Sequence, residues 1–218
     1  MNLNAIKCLG ASVLLASAGA ASAVTISFGG CAAGDGSVLT TCNASATVVN
    51  FNSTPLGGLP AGYVGSLGGG QVVQGSVPGA YAAPAGDTSP YLTIPTQGAP
   101  GVVTATPGGT HNYFGLYWGS MDSYNTLTFF NGATQIASLT GQDVLAAAAA
   151  QGNQTSPDSN RYVNLAFGPL SYTTVVLRSD GVAFESDNHA FGRVPEPATI
   201  ALFGATLAGL AVSRRRKQ

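Results

Sequence analysis

Apolar and polar positions along this chain recur with a period of two far more often than with a period near 3.6. The clearest case is Thr126-Leu-Thr-Phe-Phe130, then Asn131-Gly132, then Thr134 to Leu139. Asn-Gly between two alternating runs is a strong hairpin signal, because a tight turn there wants positive φ at both central residues. Short runs rich in β-branched and aromatic residues, bounded by Gly, Pro, Ser or Asn, predict further strands at Tyr113 to Trp118, Arg161 to Phe167 and Tyr172 to Arg178. Val182 to Phe184 and His189 to Phe191 follow, while Thr47 to Asn52, Gln71 to Gln74 and Tyr91 to Ile94 precede them. One helix is expected among these strands. Thr140-Gly-Gln-Asp143 has the form of a capping box with Asp in place of Glu, and the alanine-rich stretch from Val144 to Gln151 runs to Gly152. Many short strands, turn residues between them and a single short Ala-rich helix predict an all-β, antiparallel, jelly-roll-like sandwich.

Both ends of the chain depart from this pattern. MNLNAIKCLGASVLLASAGAASA has one cation, Lys7, then an apolar run, then small residues ending in Ala21-Ser22-Ala23. That is the layout of a secretory signal peptide over residues 1–23, with cleavage between Ala23 and Val24. At the other end, Val194-Pro195-Glu196-Pro197 is extended by its prolines. Ala198 to Val212 is free of charge, and Arg214, Arg215, Arg216 and Lys217 follow. As a helix this stretch rises about 22 Å, short of the ~30 Å hydrocarbon core, although basic residues at its end can snorkel and mark the cytoplasmic side. A buried core helix is the alternative, and the cluster of cations flush against its end argues against it. Residues 24–193 are then expected as one extracytoplasmic domain, with residues 194–218 as a membrane-inserted tail on the precursor.

This tail resembles the PEP-CTERM sorting signal of Gram-negative bacteria that build extracellular polysaccharide. The resemblance implies recognition and removal of the tail by an exosortase, transient residence in the inner membrane, and release or attachment of the body at the cell surface or in the extracellular matrix. Glu196 and its flanking prolines are then substrate for another protein. Within the body, Tyr113-Phe-Gly-Leu-Tyr-Trp-Gly-Ser-Met-Asp122-Ser-Tyr-Asn125, Tyr81-Ala-Ala-Pro-Ala-Gly-Asp87 and Phe184-Glu-Ser-Asp187-Asn188-His-Ala-Phe191 resemble exosortase-dependent surface proteins. That second resemblance implies a class and no activity.

Composition narrows the function. Between residues 24 and 193 stand three arginines, eight carboxylates and no lysine, a net charge of −5. Such a surface repels phosphate backbones, so nucleic acid is not an expected partner. Two cysteines remain after signal cleavage, Cys31 and Cys42, and outside the cytoplasm they are expected to form a disulfide. The body holds two histidines, His111 and His189, and neither a G-x-S-x-G nor an H-E-x-x-H motif. The expectation is a protein without catalytic activity, working as a surface or exopolysaccharide-matrix component. The alternative is a glycan-binding module in which Trp118, Tyr117 and Tyr124 stack on sugars beside Asp122 and Asn125, against the plainer reading that these aromatics pack in the sheet. No cofactor is expected, with one exception: oxygen-rich Asp187 and Asn188 are candidate calcium ligands, joined by Asn50 or Asn52 if the first and last strands pair, with Asp87 and Asp122 as weaker candidates. The competing reading is an Asx turn.

The tail reading makes a direct prediction. In an exosortase-containing host, the secreted protein should begin at Val24 and end near Pro195-Glu196-Pro197 by mass spectrometry. Glu196→Ala should keep the tail attached and the protein in the membrane. A secreted form retaining Arg214-Arg215-Arg216 would contradict the reading.

Overall fold

A computed structural model describes residues 24–96, 98–145 and 150–194. Its strands begin with β1 (Thr25–Phe28), β2 (Cys31–Ala32), β3 (Leu39–Thr40), β4 (Thr47–Val49), β5 (Tyr63–Leu67) and β6 (Gln71–Val73). Then come β7 (Tyr91–Ile94), β8 (Gly101–Ala105), β9 (Tyr113–Gly119), β10 (Asn125–Asn131) and β11 (Thr134–Thr140). A helical turn α1 (Gly141–Val144) leads to β12 (Arg161–Ala166), β13 (Thr174–Ser179) and β14 (Phe184–Gly192).

From β7 onward the chain behaves as one long hairpin rolled over on itself. β7 pairs with β14, β8 with β13, β9 with β12 and β10 with β11, all antiparallel. Pairing of β9 with β14 and of β10 with β13 then joins these hairpins into two sheets. The first sheet has the order β1-β12-β9-β14-β7-β6, with β4 also on β14, and the second has the order β11-β10-β13-β8-β5. This nested pairing is the jelly roll that the strand pattern predicts.

The two sheets bury their strands differently. In the second, β10 and β13 alternate buried with half-buried residues, the mark of a sheet with one dry face. In the first, every residue of β9 and β14 is buried. The face turned to the second sheet carries Phe114, Leu116, Trp118, Phe184 and Phe191, packed against Leu127, Phe129, Val175 and Leu177. Trp118 stacks on Phe184 at 4.6 Å.

The opposite face of this sheet is covered by irregular chain. A strap through residues 75–89 crosses it: Tyr117 donates from its hydroxyl to Ala85 O at 2.6 Å, and Tyr91 to Gly75 O at 2.6 Å. The strap lies so close that a Cβ at Gly119 would sit 2.8 Å from Pro84, so only glycine fits there. Beside the strap lies the β2–β3 ribbon, tied by the Cys31–Cys42 disulfide. Closing that short loop contributes about 3 kcal/mol by the chain-entropy estimate. The ribbon reaches the sheet through Thr41, whose hydroxyl lies 2.6 Å from that of Tyr113.

Three local expectations need correction. The hairpin forms, but Asn131 is its last strand residue opposite Thr134, and Gly132 at φ 57 is the first turn residue. The turn is therefore Gly132-Ala133, with glycine where a primed turn of the second kind wants it. The capping box at Thr140 and Asp143 is present, yet the helix ends at Val144 with Leu145 already extended. The helix expected to run on to Gln151 therefore stops before the alanines, and Gln151 itself forms a β-bridge with Asp122; residues 146–149 lie outside the described residues. Finally, Val182 is not in a strand, and Phe184 through Gly192 form one strand where two were expected. Among the described residues no helix is long and apolar enough to cross a membrane. The expected signal peptide (residues 1–23) and the expected tail helix lie outside the described residues.

Candidate functional site

At one end of the first sheet the strap stands off from β14 and leaves a cleft of about 400 Å³. That volume suits a small ligand. One wall is the strap from Ser76 to Ala82, including Tyr81, and the other is formed by Ser120, Asp122, Gly152, Gln154, Ala183 and Glu185. Glu185 lies at the base, on the second residue of β14, and is 2 % exposed. Both of its oxygens are engaged: Oε1 accepts from Ala82 N at 2.9 Å and Oε2 from Ser120 Oγ at 2.8 Å. Burial first, and the Asp122 charge in addition, push its carboxyl up to about 7.

Asp122 stands at the rim. Burial raises its carboxyl, and the neighbouring Tyr124 hydroxyl partly offsets that effect. Its position is enforced by backbone. Gly152, at φ 66, approaches so closely that a Cβ would fall 2.6 Å from Asp122 Oδ1. Asn160 holds the frame: its Oδ1 accepts from Ser120 N at 2.9 Å and Ala85 N at 3.0 Å, while its Nδ2 donates to Asn153 O and Ser156 O.

The sequence-predicted glycan platform does not assemble. Trp118 is fully buried between the sheets and Tyr117 is 3 % exposed beneath the strap, so neither offers a face to a sugar. Tyr124 is half-buried, donating to Val182 O at 2.9 Å, with its ring where a Gly181 side chain would be. Asn125 is buried, donating to Ala183 O and accepting from Ser179 Oγ. Of that set only Asp122 lines the cleft. Tyr81, Ser120, Gln154 and Glu185 join it; three of these stand in the stretches that carry the second resemblance, but nothing in the sequence marked any of the four as site residues. They come from four separate segments that only the roll brings together.

Asp187 and Asn188 do lie together, but Asn50 and Asn52 do not join them. β4 pairs with β14 as expected, with Val49 opposite His189. The two asparagines instead donate to Asp35 Oδ2, at 3.0 and 3.2 Å. The partner that approaches Asp187 is Asp87, through Ser89. Of the body's two histidines, His111 lies away from this cluster against Tyr172 and Phe191. His189 is buried in the core, between the Ser186 hydroxyl on Nε2 and the Tyr63 hydroxyl on Nδ1, each at 2.9 Å. Burial pushes it down to about 3, so it is a neutral structural group.

Comparison with known proteins assigns the end of the chain. A PEP-CTERM protein-sorting motif matches residues 193–217. This chain carries that sorting motif. Such a PEP-CTERM tail implies an exported, membrane-anchored precursor that an exosortase processes for the cell surface. The motif begins at Arg193, where the body ends: Arg193 Nε donates to Thr110 O at 3.1 Å, and Val194 exchanges two hydrogen bonds with the Asn112 side chain. Among solved structures, the K2 cleaved adhesin domain of Lys-gingipain (Kgp) aligns at 11 % identity and a TM-score of 0.35, over 68 % of this chain and 98 % of that chain. A likeness at that score carries no argument, and the fold stands on the strand pairing. No curated protein matches the chain.

The Glu185 environment predicts a pH effect. Its folded value, about 7, lies above the ordinary 4.5, so the stability tied to its proton is full below about 4.5 and is lost as pH rises through 7. Glu185→Gln keeps an acceptor for Ala82 N and a partner for Ser120. The variant should therefore melt at the same temperature as the parent near pH 5 and above it near pH 8. A variant destabilised equally at both would show that the carboxylate is fully compensated in the parent.

Proposed function

We propose that this is a non-enzymatic, exosortase-sorted component of the cell surface or extracellular matrix, and that its cleft holds a neutral saccharide unit of the surrounding exopolysaccharide. The observation that carries the reading is the lining of the cleft. Asp122, Gln154 and Ser120 present oxygens to a hydroxyl-rich ligand above the Glu185 clamp, and Tyr81 adds one aromatic ring. The carboxylates disfavour an anionic sugar, as does the body's charge of −5 with no lysine. The sorting motif supplies the setting in which such a ligand is abundant.

A catalytic reading gains little from the same residues. Glycoside hydrolysis uses two carboxyls flanking the scissile bond, one to give a proton and one to act as base or nucleophile. Glu185 has both oxygens held by Ala82 and Ser120, which suits a clamp on the strap better than a proton donor. The reading therefore predicts binding without turnover. On a glycan array, the full chain in detergent should bind neutral glycans and pass over uronate-rich ones. Asp122→Ala and Gln154→Ala should each weaken binding about tenfold, equivalent to about 1.4 kcal/mol, while an exposed change outside the cleft, Thr134→Ala, should not. Preference for uronates, or cleavage of the bound glycan, would overturn the proposal.

A further inference from the structure

A second polar cluster lies on the same covered face of β14, around Asp187. Three stretches build it: Ser37 in the β2–β3 ribbon, Asp87 to Ser89 at the end of the strap, and Asp187-Asn188 in β14. The last two sit in a bulge, where the register of β14 against β9 shifts and Asn188 takes φ 51. Asp87 is 7 % exposed, Asp187 fully buried, Asn188 1 % exposed and Ser37 8 % exposed.

The hydrogen bonds in this cluster leave a specific deficit. Asp87 Oδ1 accepts from Ser89 N at 2.9 Å and from Ser89 Oγ at 2.6 Å. The same hydroxyl lies 3.2 Å from Asp187 Oδ2, but one hydroxyl has one proton, so it serves Asp87. Asp187 Oδ1 takes the Asn188 amide N–H at 2.6 Å. Asp87 Oδ2 and Asn188 Oδ1 are both buried and make no hydrogen bond. The Asn188 amide cannot be reversed to relieve this, because its Nδ2 donates to Leu39 O at 3.0 Å. Turning it would set one carbonyl against another.

Positive charge is equally missing. The described ion pairs are Arg161 with Asp158 and Arg178 with Asp180, and Arg193 is at Thr110. Asp35, exposed beside the cluster, adds further negative charge acting on Asp87. Two buried carboxylates and an orphaned amide oxygen, with no cationic side chain near among the described residues, are costly unless something positive satisfies them. A proton shared between the carboxyls would serve Asp87 Oδ2 and leave Asn188 Oδ1 unserved. A hard cation serves both, because such ions take carboxylate, amide and hydroxyl oxygens in irregular sets. The cluster falls short of three His, Cys, Asp or Glu side chains, and no such trio gathers among the described residues; its ligand set is mixed instead.

We propose that Asp87, Asp187, Asn188 and Ser37 hold one calcium-type divalent cation between the strap, the disulfide ribbon and the β14 bulge. The ion joins three segments that also meet through Thr88 at Gly36 O, Asn188 at Leu39 O and Ser89 at Asp187, so its effect is on stability.

The test is direct binding of calcium to the full chain in detergent, by equilibrium dialysis with a radioactive tracer and by melting in CaCl2 against chelator. One ion per chain should bind, with a melting temperature several degrees higher in calcium. Asp87→Asn and Asp187→Asn should abolish binding, Ser37→Ala should weaken it several-fold, and Glu185→Gln should leave it intact. If the Asp187 variant fails to fold, the dialysis result on the parent chain still decides. Absence of bound calcium would overturn the proposal. So would an Asp87→Asn variant more stable than the parent at pH 8 whether or not calcium is present, because that is the signature of a shared proton.

Discussion

The structure depends on one constraint: β14 is buried over its whole length, yet Glu185, Ser186, Asp187, Asn188 and His189 are consecutive and polar. A buried polar group without a partner costs on the order of 1–3 kcal/mol, so five in a row on a central strand demand partners from both sides. The core side supplies them for Ser186 and His189, through each other and Tyr63. The covered side supplies them for Glu185 through Ala82 and Ser120 and for Asn188 Nδ2 through Leu39, and it brings Asp87 and Ser89 up against Asp187. The strap and the disulfide ribbon are thus required by the strand they cover.

This requirement also explains why the two sheets differ. The second sheet is stabilised chiefly by apolar packing of Leu127, Phe129, Val175 and Leu177, and its other face meets water. The first sheet has that same dry interface on one side and a polar interface on the other, where tyrosine hydroxyls bond to backbone: Tyr117 to Ala85 O, and Tyr162 to Asn188 O at 3.1 Å. The cleft and the proposed cation cluster both lie in this polar layer, one at Glu185 and one at Asp187. Alternation along a strand puts those two side chains on one face, and the strap divides the space above them.

What was legible in the sequence was local. The hairpin after Phe130, the Thr140 capping box and the Cys31–Cys42 bridge each follow from short-range chemistry, and all three formed. The jelly roll was legible as a class, from the number of short strands and their turns. β5 and β8 were not, because Tyr63-Val-Gly-Ser-Leu67 and Gly101-Val-Val-Thr-Ala105 lie within Gly- and Pro-rich chain whose composition reads as loop. Trp118 was ambiguous for a different reason: period two tells which residues share a face but not whether that face is covered. The strap covers both Tyr117 and Trp118's strand, and nothing near Pro84 announces it. Asp87 was one of the two weaker cation-ligand candidates, with Asp122, and proved to be the one beside Asp187; the sequence hid this because the pairing that joins them spans about a hundred residues of chain.

Native-state hydrogen exchange of the β14 amides tests the central claim most directly. If both interfaces hold the strand, the amides that pair β14 with β9 should exchange only through global unfolding, at the same free energy as those joining β10 to β13. Exchange of residues 184–192 through local opening, while β10 and β13 stay protected, would contradict the account.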